Sequence, residues 1–190
     1  PIGSHFAPHH PAYVDLTGMY AYDRDAAKAL LAEAGYPDGF ETTLVLPPPS
    51  YARRGGEIIA AQLREVGINT EITNVEWAQW LEDVFKCNNF DLTVISHTEP
   101  MDIGIYGRDV YYFNYDSPDF KALAAELDKT TDEDQRYAIL RKMQETISKD
   151  AVNGFLFQLA KVGVWKKDLQ GLWHNSPVQA NDLTGVSWSE

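Results

Sequence analysis

The sequence predicts an α/β fold in which β-strands are joined through helices. Two observations carry this expectation. Over the first half of the chain, segments with apolar residues at helical spacing alternate with short β-rich runs, in the order α, β, α, β, α, β. With 44% hydrophobic, 12% aromatic and 23% charged residues, the 190-residue chain also has the composition of one ordinary domain with a core.

The elements follow in order. An irregular opening, residues 1–22, holds Pro8, Pro11 and three histidines. Asp23 can cap a helix whose apolar face is Ala27, Leu30, Leu31 and Ala34, with Gly35 as its stop. Residues 42–46 read as a strand, ended by Pro47, Pro48 and Pro49, which cannot donate to a ladder. Residues 56–66 put Ile59, Leu63 and Val66 on one helical stripe before Gly67, and residues 68–75 alternate as a strand. A third helix is expected over 76–85, with Trp77, Trp80, Leu81 and Val84 clustered, and a buried strand over 90–95.

Residues 97–115 have no clean period. They contain Pro100, Gly104, Gly107 and the aromatics Tyr106, Tyr111, Tyr112, Phe113 and Tyr115, which marks them as the longest candidate working loop. Ser117 and Pro118 then open a helix with the stripe Phe120, Leu123, Ala124, Leu127, and a second helix starts near Thr131 and Asp132 and carries Leu140, Met143 and Ile147. Residues 152–159 read as a last strand, and residues 165–190 as an irregular return.

Charge and cysteine content narrow the function. Sixteen Lys and Arg against 28 Asp and Glu give a net charge of −12, which repels a phosphate backbone, so no nucleic-acid partner is expected. No apolar run approaches the roughly 20 residues of a membrane helix. The lone Cys87 allows neither an internal disulfide nor a CxxC metal site.

Catalytic signatures are weak. His97, Glu99 and Asp102 could act as acid, base or metal ligands, yet H-x-E-x-x-D is not a zincin pattern. A metal-dependent hydrolase built on these three is therefore the rival reading. Cys87 paired with His97 is a possible nucleophile, and His5, His9 and His10 a possible surface metal patch, but each has a plainer reading as structure or tether. No nucleophile elbow, dinucleotide fingerprint or phosphate loop occurs, so neither enzyme chemistry nor a cofactor is expected. Five Trp, ten Tyr and eight Phe, several in loops, suit the walls of a ligand cleft.

The order of motifs adds to this. The opening PIGS, residues 22–36 (YDRDAAKALLAEAGY), residues 61–68 (AQLREVGI), Glu76-Trp77, Phe90-Asp91-Leu92 and residues 115–120 (YDSPDF) together resemble the C-terminal lobe of family 5 extracellular solute-binding proteins, the peptide/nickel-type receptors of bacterial ABC importers. The resemblance implies the C-terminal lobe of a type II periplasmic-binding-protein-like fold, a mixed sheet flanked by helices, with residues 1–190 as one lobe of a larger two-lobed protein.

It further implies a periplasmic or lipid-anchored receptor that closes around a peptide or similar small solute. The expected partners are the N-terminal lobe of the same parent chain and the membrane subunits of the importer. A receptor for a non-peptide solute or metal complex is the alternative. By position, Trp77 maps to the tryptophan that contacts ligand in oligopeptide-binding relatives. The loop after the Phe-Asp strand faces the cleft in the family, which brings His97, Thr98, Glu99, Asp102 and Tyr106 into contact range. That loop is shorter here than in peptide-binding relatives, which carry an aspartate for the peptide N-terminus; Glu99 or Asp102 could stand in for it.

Overall fold

A computed structural model describes residues 1–97, 102–160, 162–174 and 182–189. Contacts divide the chain into two compact units, Pro1–Gln158 and Leu159–Glu190.

In the first unit, Asp23 caps helix α1 (Arg24–Glu33) by accepting from the N–H groups of Asp25 and Ala26 at 3.0 Å, and Gly35 stops it at φ +90°. Strand β1 (Phe40–Leu46) leads through the prolines into α2 (Ser50–Arg64), which starts six residues earlier than the apolar stripe suggests because Ala52 and Gly56 also face inward. Strand β2 (Ile68–Asn74) follows. Helix α3 (Trp77–Trp80) continues as a π-helical turn, Leu81–Lys86, and then comes strand β3 (Leu92–Thr93). The sheet order is β2-β1-β3, with both pairings parallel. This is an α/β sheet whose crossovers run through helices, as the alternating pattern requires.

Two glycines set its register. β1 and β2 pair from Phe40 opposite Ile68, directly after Gly39 and Gly67, both at positive φ. A Cβ on Gly39 would lie 1.9 Å from the Gly67 carbonyl oxygen, so only glycine lets the two chains approach this closely where pairing begins.

The expected strand over 90–95 shrinks to two residues. Asp91 spends one carboxylate oxygen on the N–H and hydroxyl of Thr43, at 2.8 and 2.7 Å, which fixes the strand's start by a side chain instead of a ladder. Residues 152–159 form no strand. Their backbone bonds go to Ile2 (3.4 Å) and, closing the helix before them, to Ile147, and Leu156, Phe157 and Leu159 are exposed. Strand propensity needs a partner edge, and the described residues offer this run none.

The main core lies between α4 (Pro118–Lys129, capped by Ser117) and α5 (Glu133–Lys149, capped by Asp132). Phe120, Ile139, Leu140, Met143 and Ile147 meet Ile103, Ile105 and Tyr106 from a 3₁₀ turn, Asp102–Gly107, inside the aperiodic segment. The opening segment is irregular, as expected, but not loose. Gln144 is fully buried, and its amide accepts from Ser4 Oγ (2.9 Å) and the Phe6 N–H (3.2 Å) while donating to the Ala12 carbonyl (2.6 Å). Every polar atom of that amide is satisfied, so the segment is fixed onto α5. His5 turns onto Asp102 and His10 stacks on Phe6, so these two build packing contacts, while His9 is exposed.

In the second unit, expected to be irregular, Leu169–Gln170 and Ser187–Trp188 pair antiparallel as β4 and β5. No helix among the described residues is long and apolar enough to cross a membrane.

One contrast tests this packing. Helix α1 buries none of its residues, and Leu30, although on its apolar stripe, is 61% exposed, whereas Phe120 is fully buried. In urea titrations of this chain, Phe120→Ala should lower stability by about 4 kcal/mol, and Leu30→Ala should change it by less than about 0.5 kcal/mol.

Candidate functional site

Because all three strands run parallel, Leu46, Asn74 and Thr93 end at one edge of the sheet. Beyond the carboxyl ends of such strands an open sheet leaves a crevice where ligands bind. Here that rim consists of the prolines leading into α2, the Val75-Glu76-Trp77 turn into α3, and residues 94–97 after β3. Arg53 and Glu76 face each other across it at 3.4 Å.

The two tryptophans of α3 have separate roles. Trp80 is buried, and its indole N–H donates to Thr93 Oγ1 at 3.0 Å, while the threonine hydroxyl donates to the Val45 carbonyl at 2.7 Å. Trp77 sits edge-on to Trp80 with ring centres 5.8 Å apart and is 42% exposed. The pair is thus an anchored indole supporting one that offers its surface at the rim.

A polar chain runs inward from His97 at the rim. His5 Nε2 is 2.7 Å from one oxygen of Asp102, His97 Nδ1 is 3.0 Å from the other, and His97 Nε2 is 3.1 Å from the Tyr112 hydroxyl. The side chains of His5 and Asp102 are 8% and 11% exposed and that of His97 is 28%. Burial by itself would raise the Asp102 pKa, but the hydrogen bonds and charge of His5 and His97 outweigh it and hold the carboxyl well below the usual range. Asp102 is therefore ionised, with both oxygens engaged. The Ser96 N–H donates to the Tyr51 hydroxyl at 3.0 Å, tying the same segment to α2.

Tyr106 lies apart from this rim. It is 3% exposed, packed on Phe113 and Phe120, and its hydroxyl accepts from Asn153; burial pushes its pKa up. Thr98 and Glu99 lie outside the described residues. Both nitrogens of His97 are engaged away from Cys87, which is exposed at the end of the π-helical turn. Among the described residues no three His, Cys, Asp or Glu side chains form a metal-holding group. Sequence reasoning missed the union of His5 with Asp102 and of Tyr112 with His97. They are separated by 97 and 15 residues, and no periodicity connects them.

The sequence model described as bacterial extracellular solute-binding proteins, family 5 Middle, matches residues 1–118. The chain belongs to this family. Among curated proteins, it is 31% identical over 137 residues to the periplasmic oligopeptide-binding protein OppA of Escherichia coli, covering 67% of this chain and 25% of that one. It is 40% identical over 74 residues to heme-binding protein A of Haemophilus influenzae, covering 36% of this chain and 14% of that one. The chain thus spans about a quarter or less of these relatives' length. Among solved structures, the dipeptide-binding protein from Pseudoalteromonas sp. SM9913, in complex with Met-Leu, superposes with a TM-score of 0.76 at 22% identity, over 98% of this chain and 40% of that one. The shared fold is that of the type II periplasmic binding proteins.

The polar chain makes a testable contribution to stability. A carboxyl whose folded pKa is depressed stabilises the fold above the unfolded carboxylate value of about 3.9, and that stability is lost as pH falls through the lower folded value. Asp102→Asn should therefore cost about 2 kcal/mol at pH 7. Between about pH 4 and pH 2 its difference from the parent should narrow. Urea titrations across that range check it.

Proposed function

We propose that this chain is the ligand-binding lobe of an extracellular receptor that captures a peptide or similar small solute and delivers it to the membrane subunits of an ABC importer. It would act in the periplasm or tethered to the outer face of the cytoplasmic membrane, closing with the N-terminal lobe of the same parent chain around the solute. The observation that carries the reading is Trp77, an exposed indole backed by a buried one at the carboxyl rim of a parallel sheet, in a chain of family 5. Such a surface offers stacking and apolar contact to a bound solute and needs no bond chemistry.

One observation favours a second reading, a non-peptide solute. Asp102, a candidate partner for a peptide amine, already gives both oxygens to histidines. Glu99 is then left as the amine partner from the expected set, with His97 at the rim. Heme-binding protein A is a relative whose name is not that of a peptide receptor.

Native mass spectrometry of the full-length parent, gently purified, separates the two. Co-purifying masses spaced by amino-acid residues support the peptide reading, and a single non-peptide mass supports the second. An empty protein that also fails to bind mixed di- to pentapeptides overturns the peptide reading. In that parent, Trp77→Ala should weaken peptide binding about tenfold by calorimetry, since the loss of one stacking surface is worth about 1.4 kcal/mol. The 190-residue chain alone should fold but bind the same peptides too weakly to measure, because half of the burial that drives binding is absent.

A further inference from the structure

We propose that Asp102 is a positioning residue, whose carboxylate fixes the tautomers of two histidines and thereby locks the segment after β3 to the opening segment as one rigid wall behind the rim. The functional value of that wall rests on the rim being the solute-binding surface proposed above; the chemistry of the lock does not.

The argument is one of donors and acceptors. An ionised carboxylate only accepts hydrogen bonds, so each imidazole nitrogen that faces Asp102 must carry a proton. His5 faces it with Nε2 and His97 with Nδ1. Neutral His5 is therefore the Nε2–H tautomer and neutral His97 the Nδ1–H tautomer. Nε2 of His97 is then a bare acceptor, and the Tyr112 hydroxyl, 3.1 Å away, donates to it. The direction of every bond in the chain Tyr112 to His97 to Asp102 to His5 follows from the charge on one residue.

The chain joins otherwise separate parts. His5 belongs to the opening segment that Gln144 holds on α5; Asp102 starts the 3₁₀ turn; His97 follows β3; and Tyr112 packs among Trp80, Phe85 and Phe90 beside α3. Among the described residues, the other titratable groups against it are Tyr106, edge-on to His5 at 5.5 Å, and Tyr111, beside Tyr112 at 5.0 Å. Neither is a carboxylate, so of the described residues Asp102 is the one that sets the pattern.

The test needs no solute, so its failure is distinct from failure of the receptor reading. Nitrogen-15 NMR of the histidine rings, on this chain at pH 8, reads each tautomer directly. The expected result is Nε2–H for His5 and Nδ1–H for His97. Finding His97 as Nε2–H, or as a mixture of both forms, overturns the proposal.

Asp102→Asn supplies the second arm. An amide of the same shape presents one acceptor and one donor, so one of the two imidazoles must turn a lone pair toward it and switch tautomer. A folded variant in which both histidines keep their parent tautomers overturns the proposal, because a role in packing alone predicts that outcome. Tyr112→Phe is the third arm and does not depend on Asp102→Asn folding. It removes the outer donor but leaves the carboxylate, so His97 should remain Nδ1–H, and a switch there would assign control to Tyr112 instead.

Discussion

The parallel pairing of β1 with a strand on each side is the constraint on which the rest of the first unit depends. Parallel neighbours cannot be joined by a tight turn, so each connection must cross over, and here the crossovers run through α2 and through α3 with its π-helical turn. The same geometry sends all three strand ends to one edge. Trp77 and His97 each follow closely on one of those ends. Gly39 and Gly67 start the register, and a slip of one residue would exchange Leu44 and Leu46, buried against α2, with Val45 and Thr43 on the opposite face.

That opposite face explains a second feature. Thr43, Val45, Thr73 and Val75 form one wall of a 550 Å³ cavity, with Asn88, Asn89 and Phe90 across from them. A parallel sheet usually has both faces covered. Here α2 covers one face, while Trp80 and Tyr112 reach only part of the other, packing on Val45 and Val75. The alternation along β2 fits this half-covered state and marked that strand in the sequence, whereas β1 was marked by its β-rich run and the prolines that end it.

Legibility in the sequence followed the range of the interactions. The caps Asp23, Ser117 and Asp132 act within three residues, and each is where local reasoning puts it. Trp77 was singled out by a short motif, and the fold leaves it exposed at the rim. The failures are non-local: residues 152–159 have the composition of a strand but find no partner edge among the described residues, and β3 is cut short by the reach of Asp91 to Thr43. The apolar face of α1 is correct as a pattern but is not buried, because periodicity reports a capacity to pack and not the neighbour that realises it. Tyr106 was legible as one aromatic in a loop; its burial beneath α4 depends on Phe113 and Phe120, which the sequence could not place around it.

Asp102 shows how a residue can look like a ligand contact and serve the site differently. In sequence it is an acid in an aperiodic loop beside a histidine, the usual appearance of a cation-binding group. Folding brings a second histidine from 97 residues away, and the pair consumes both oxygens before a solute arrives. A carboxylate buried with two donors is a poor anchor for a cation, since recruiting it would strip an imidazole of its partner inside the protein. It is a good strut, because each charge-assisted bond fixes a different segment of chain. The rim therefore presents the Arg53–Glu76 pair and the Trp77 indole at its surface, while the Asp102 carboxylate is taken up by the two histidines.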